Sequence, residues 1–104
     1  MSPVDYIAEA KWLKVMAHPV RLEILERLLG GERCVTEVEQ LVSGLTQSSL
    51  SQHLALLRHC GVVDCRREGN KRCYFLVNPQ MIARLLAALR DEPILAWETN
   101  QPLL

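Results

Sequence analysis

LTQSSLSQHLALLRHCGVVDCRREGNKRCYFL, residues 45–76, reads as an amphipathic helix followed without a linker by a basic hairpin. Leu50, Leu54 and Leu57 recur at helical spacing and make one apolar stripe. The other face carries Gln47, Ser48, Ser51 and Gln52, where a surface helix ordinarily carries Glu and Lys. Neutral amides and hydroxyls both donate and accept, so they can bond base edges and phosphates without repelling a polyanion. Arg66, Arg67, Lys71 and Arg72 flank the Gly69–Asn70 turn. A polar helix that enters a groove, beside a basic hairpin that grips the backbone, is the pattern of a winged helix-turn-helix.

Outward from this stretch the chain reads mostly as helix. Ser2–Pro3 predicts the start of a first helix with Pro at its first position, and Ile7, Ala10, Leu13 and Ala17 follow at helical spacing. His18 and Pro19 break and restart the chain, and a second helix over 20–29 stops at Gly30–Gly31. Thr36-Glu37-Val38-Glu39 has capping-box spacing for a short third helix through Val42. Thr46 can cap the fourth helix, with Leu45 and Leu50 as a hydrophobic staple, and Gly61 ends it. Val62 to Arg67 and Arg72 to Val77 form the arms of a hairpin. Asn78–Pro79 opens a last helix with Ile82, Leu85, Leu86 and Leu89 on one face; Pro93 limits it, and Ile94, Leu95 and Trp97 form a short apolar tail. The expected order is α-α-α-α-β-β-α, mainly α with a β-hairpin wing, in one domain over residues 1–104.

Three segments in order, MAHPVRLEILERLL (16–29), TQSSLSQHLALLR (46–58) and GVVDCRREGNKRCYFL (61–76), resemble the ArsR/SmtB family of bacterial winged-helix repressors. The resemblance spans about residues 10–90 and implies a DNA-binding repressor that acts as a two-fold dimer. It implies dimerisation through helices in 1–17 and 79–92, a helix-turn-helix over 36–61 and a wing over 62–77. Trp12 and Trp97 could extend that interface. Palindromic operators mirror such a two-fold axis.

Composition fits this reading. The formal net charge is zero, yet residues 44–72 carry net +3, with the two flanking segments slightly acidic. Positive charge is concentrated where a nucleic acid would need it, and a dimer doubles the patch. No run approaches the ~20 apolar residues that span a bilayer, and no N-terminal stretch has signal-peptide order, so the expected location is cytoplasmic. No glycine-rich phosphate loop or nucleophile–base–acid set is visible, which argues against an enzyme. A protein–protein module on the same scaffold is the alternative, but it should show a hydrophobic or acidic recognition face.

The expected DNA-contacting residues are Gln47, Ser48, Ser51, Gln52 and His53 on the helix, and Arg66, Arg67, Lys71 and Arg72 on the wing. His53 borders the apolar stripe, so a packed, hydrogen-bonded role stands beside direct contact.

Four cysteines in such a chain are expected to be reduced thiols. The resemblance implies release of DNA when a metal, a metalloid or an oxidant meets a cysteine- or histidine-based site. The family's arsenic motif, E-L-C-V-C-D-L, corresponds here to Glu32-Arg33-Cys34-Val35-Thr36-Glu37-Val38. Cys34 matches its first cysteine and Thr36 replaces its second. The segment 79–92 lacks the histidine of the zinc-sensing members, and no cysteine follows Cys73 to complete the pair of the persulfide-responsive ones. Thiol candidates are therefore Cys34, Cys60, Cys65 and Cys73, with arsenite or a soft metal on thiolates as a possible ligand. A three-residue loop, Glu68-Gly69-Asn70, opposes Cys65 to Cys73 and permits a wing disulfide; a Gly69–Asn70 turn opposes Cys65 to Tyr74. A regulator without any small-molecule inducer is the remaining alternative.

Overall fold

A computed structural model describes residues 3–42 and 44–90. Helix α1 spans Tyr6–Met16 and α2 spans Pro19–Leu28. A two-residue strand, β1 (Arg33–Cys34), leads directly into α3 (Val35–Leu41). Helix α4 follows at Gln47–His59, then β2 (Val63–Glu68), β3 (Lys71–Leu76) and α5 (Pro79–Leu89). The strands form one antiparallel sheet in the order β1-β3-β2.

Local chemistry sets most boundaries. His18 caps α2, its Nδ1 accepting from the Val20 N–H at 3.1 Å, and Pro19 supplies the first helical residue. Thr46 Oγ1 accepts from the Ser49 N–H at 3.0 Å and starts α4 as the sequence predicts. Asn78 Oδ1 does the same for α5 through the Met81 N–H at 3.1 Å. Gly61 adopts φ +79° just past α4, a conformation that costs other residues a Cβ clash.

Three expectations need correction. The first helix starts at Tyr6, not at Ser2–Pro3, because Asp5 accepts from the Ala8 N–H and makes the better cap. The capping box of α3 lies two residues earlier than Thr36 and Glu39. Glu37 reaches back to the Cys34 N–H at 2.9 Å, so α3 starts at Val35. Strand β1 adds an element to the expected order. Two residues carry no period-two signal, and β1 exists only because β3 offers it a partner edge. The tail around Trp97 lies outside the described residues.

The core joins all layers. Ile24 and Leu25 of α2, Val38 of α3, Leu50, Leu54 and Leu57 of α4, Val63 and Tyr74 of the sheet and Ile82 of α5 form one buried cluster. Recognition-helix leucines are thus anchored against α2 and the sheet, and the opposite face of α4 stays in solvent.

Candidate nucleic-acid interface and cysteine pair

Gln47, Ser48, Ser51 and Gln52 are all exposed on α4, clear of the buried Leu50, Leu54 and Leu57. The wing beside them closes with the two-residue Gly69–Asn70 turn, and Gly69 takes φ +63°. A positive φ at the first turn position fits the hairpin turn that matches strand twist. Between the two elements lies a cleft of about 270 Å³. Thr36, Gln47 and Ser51 line one side, Asn70, Lys71 and Arg72 the other, and Cys34 reaches into it.

Strand register sorts the basic residues. Arg67 stands opposite Arg72, and Glu68 opposite Lys71. Arg67, Lys71 and Arg72 are exposed and pair with no acidic group among the described residues. Arg66 differs. Its Nε and Nη2 each donate to Glu32 at 2.6 Å, and Glu68 lies 3.3 Å away. This hydrogen-bonded pair lowers the Glu32 carboxyl below its ordinary value and raises the Arg66 guanidinium. Of the four basic wing residues, Arg66 therefore enters as a sheet-edge clamp. Arg58, near the end of α4, is held by Asp64 at 3.2 Å.

His53 is part-buried, and its Nδ1 accepts from Arg21 Nε at 3.2 Å. Arg21 also donates to the Val15 carbonyl at 3.1 Å, and the His18 ring centroid lies 4.8 Å from that of His53. Partial burial, with His18 and the Arg21 guanidinium close by, lowers the His53 imidazole below its usual value. The packed, hydrogen-bonded reading of His53 describes these contacts. Arg21 carried no sequence signal of this role, since its partner is 32 residues away.

The register also settles the cysteines. Cys65 faces Tyr74 and Arg66 faces Cys73, so Cys65 and Cys73 point to opposite sides of the sheet. The wing disulfide between them is excluded, because a two-residue turn shifts the register by one. Cys73 instead faces Cys34 across β1 and β3, and the two are joined as a disulfide with Cα atoms 3.8 Å apart. Cys60 caps the end of α4, and Cys65 packs against the core; both are free and part-buried. The Glu32 and Glu68 carboxylates and the Cys73 sulfur lie within 4.8 Å of one another. Once reduced, Cys34 and Cys73 offer two adjacent thiolates, which suits a soft divalent cation. A trivalent metalloid needs about three; Cys65 points to the other side of the sheet, and Cys60 packs against the core at the end of α4.

Comparison with known proteins gives this geometry a family. Residues 18–64 match the family described as "Bacterial regulatory protein, arsR family". The HTH-type transcriptional regulator Rv0081 of Mycobacterium tuberculosis is 45% identical over 85 residues, covering 82% of this chain and 74% of the relative. Its crystal structure superposes with a TM-score of 0.71 at 42% identity, covering 91% of this chain and 92% of that one. A probable mercury resistance operon repressor of Streptomyces lividans is 38% identical, over 76% of this chain and 66% of the relative. The homodimeric winged helix-turn-helix DNA-binding domain Mb0332 of Mycobacterium bovis has a TM-score of 0.73 at 26% identity, with both chains fully covered. The polar recognition helix, the basic wing and these relatives together make the chain a member of the ArsR family of bacterial regulatory proteins, a DNA-binding transcriptional regulator with a winged helix-turn-helix fold.

Proposed function

We infer that this regulator is a cytoplasmic repressor that binds a palindromic operator as a homodimer and lets it go when its thiols react. Arg67 and Arg72, opposed and without an acidic partner among the described residues, carry the DNA assignment most directly. Like charges facing each other across a hairpin destabilise it, and a phosphate backbone relieves that repulsion. Gln47, Ser48, Ser51 and Gln52 would enter the major groove, where Gln can bond adenine bidentately. Arg67, Lys71 and Arg72 would hold the flanking backbone.

The dimer reading rests on α1 and α5. Tyr6 and Ile7 are each 77% exposed and Leu13 59%. Ala8, Trp12, Leu13, Met16, Met81 and Leu85 line an apolar groove of about 510 Å³ between the two helices. So much exposed apolar surface on a small chain calls for a partner, and homodimeric Mb0332 supplies the precedent.

The signal is assigned by class to thiol chemistry. Oxidation of thiols is one route. Capture of a soft divalent cation is the second, favoured by the Glu32, Glu68 and Cys73 grouping and by the mercury-resistance relative. Fluorescence anisotropy on a palindromic duplex, at two salt concentrations and with sedimentation alongside, tests the whole reading. A dimer with salt-sensitive binding supports it. A monomer at micromolar concentration that ignores duplex DNA sinks it.

A further inference from the structure

We propose that Cys34 and Cys73 form a redox-modification site on the DNA-facing cleft, with Cys34 meeting a small hydroperoxide and Cys73 resolving the product. This deepens the thiol-release reading and rests on it.

Position separates the two sulfurs by role. Cys34 is part-exposed and lines the cleft between Gln47 and Ser51 on the recognition helix and Asn70, Lys71 and Arg72 on the wing. Cys73 is 2% exposed and sits behind it on β3. An oxidant entering the cleft therefore reaches Cys34 first. The Cys34 thiolate attacks the peroxide oxygen, the O–O bond breaks, and a sulfenic acid forms with one water after protonation. The Cys73 thiolate then attacks the Cys34 sulfur and expels the sulfenic oxygen as a second water. Two thiols lose two electrons, one hydrogen peroxide gains them, and one disulfide results.

The bond links the parts that must grip DNA together. Cys34 is the residue before α3, so it lies at the entrance of the helix-turn-helix. Cys73 follows Lys71 and Arg72 on the same wing strand. Oxidation pins the wing to the helix-turn-helix through the floor of the cleft that a DNA backbone would occupy. The clamp of Arg66 on Glu32 and Glu68 covers the same side of the sheet, joining the residues before β1 to the wing by charge. Reduction leaves that non-covalent clamp in place, so the dithiol state keeps its fold while the wing regains freedom to seat on DNA.

A Cys60→Ser/Cys65→Ser chain, which keeps only this pair, is reduced and treated with hydrogen peroxide. Mass spectrometry should show loss of two hydrogens within one chain, and operator affinity should fall about fivefold or more, recovering on reduction. Cys34→Ser and Cys73→Ala should each keep the reduced affinity after peroxide; Ala is a small apolar replacement for the buried thiol. By linkage, operator DNA should slow oxidation of the pair, an effect that a purely structural bond would not predict. A Cys34→Ser/Cys73→Ala chain that still loses affinity on peroxide overturns the site and leaves thiol-governed release to Cys60 or Cys65. A wild-type chain whose operator binding ignores peroxide and soft cations alike overturns both readings.

Discussion

Arg67 and Arg72 face each other directly across β2 and β3, close to the wing tip. The free hairpin carries their repulsion, and a bound backbone removes it. Arg67→Ala and Arg72→Ala should therefore leave fold stability unchanged or slightly raised. Both should weaken binding to cognate and random duplexes alike. The slope of log affinity against log salt should flatten by about one unit per lost phosphate contact in each subunit. Titrations at three salt concentrations read this. A loss confined to the cognate sequence would assign these arginines to base readout instead.

Gln47 and Gln52 should behave in the opposite way. Each is exposed on the recognition helix and contributes nothing to the core. Gln47→Ala or Gln52→Ala should cost about 1–3 kcal/mol on the cognate operator if the amide pairs with a base, with little change on random DNA. Competition between the two duplexes makes the measurement. Equal losses on both would show that these side chains only position the helix.

What was legible in the sequence, and what was not, follows from the range of each interaction. The apolar stripe of α4, the Thr46 cap and the α5 start at Asn78–Pro79 are all set by residues a few positions apart, and each formed where expected; the hairpin formed with each arm one residue from its expected bounds. Cys34 stands out by its place in a family motif, yet its bond to Cys73 closes a separation of 39 residues. That contact needs β1, which has no local signal. The same holds for the Arg66–Glu32 clamp, 34 positions apart, which draws one of the four expected wing cations toward a carboxylate. The register of the wing was open by one residue, and the turn at Gly69–Asn70 decided it against the Cys65–Cys73 pair.

The Cys34–Cys73 bond should also be visible in stability. Cross-linking residues 39 positions apart removes loop entropy from the unfolded chain, an effect on the order of 2–4 kcal/mol. Oxidised protein should show a higher denaturant midpoint than the same protein under reductant. In the Cys34→Ser/Cys73→Ala chain the midpoint should not depend on redox conditions. If the midpoint of that chain still moves with reductant, the stabilising thiols lie elsewhere.

Acid should loosen the seat of the recognition helix through His53. Its Nδ1 accepts the Arg21 Nε–H, which only an imidazole unprotonated at that nitrogen can do. Partial burial and the neighbouring His18 and Arg21 hold its pKa below the reference value of 6.5, so the folded chain binds this proton less readily than the unfolded one. The contribution to stability is therefore complete above about pH 6.5 and declines as pH falls below it toward the folded pKa. Once pH passes below the folded value, the loss levels off. Protonated His53 would confront the Arg21 guanidinium of α2, and the contact between α2 and α4 would weaken. Urea midpoints between pH 7.5 and 5 should fall for the wild type. They should fall less for His53→Gln, whose amide oxygen can still accept from Arg21 and does not titrate. This window lies above the ordinary carboxylate range, so acid titration of Asp and Glu contributes little to the difference. Identical pH profiles for the two proteins would remove His53 as the titrating group.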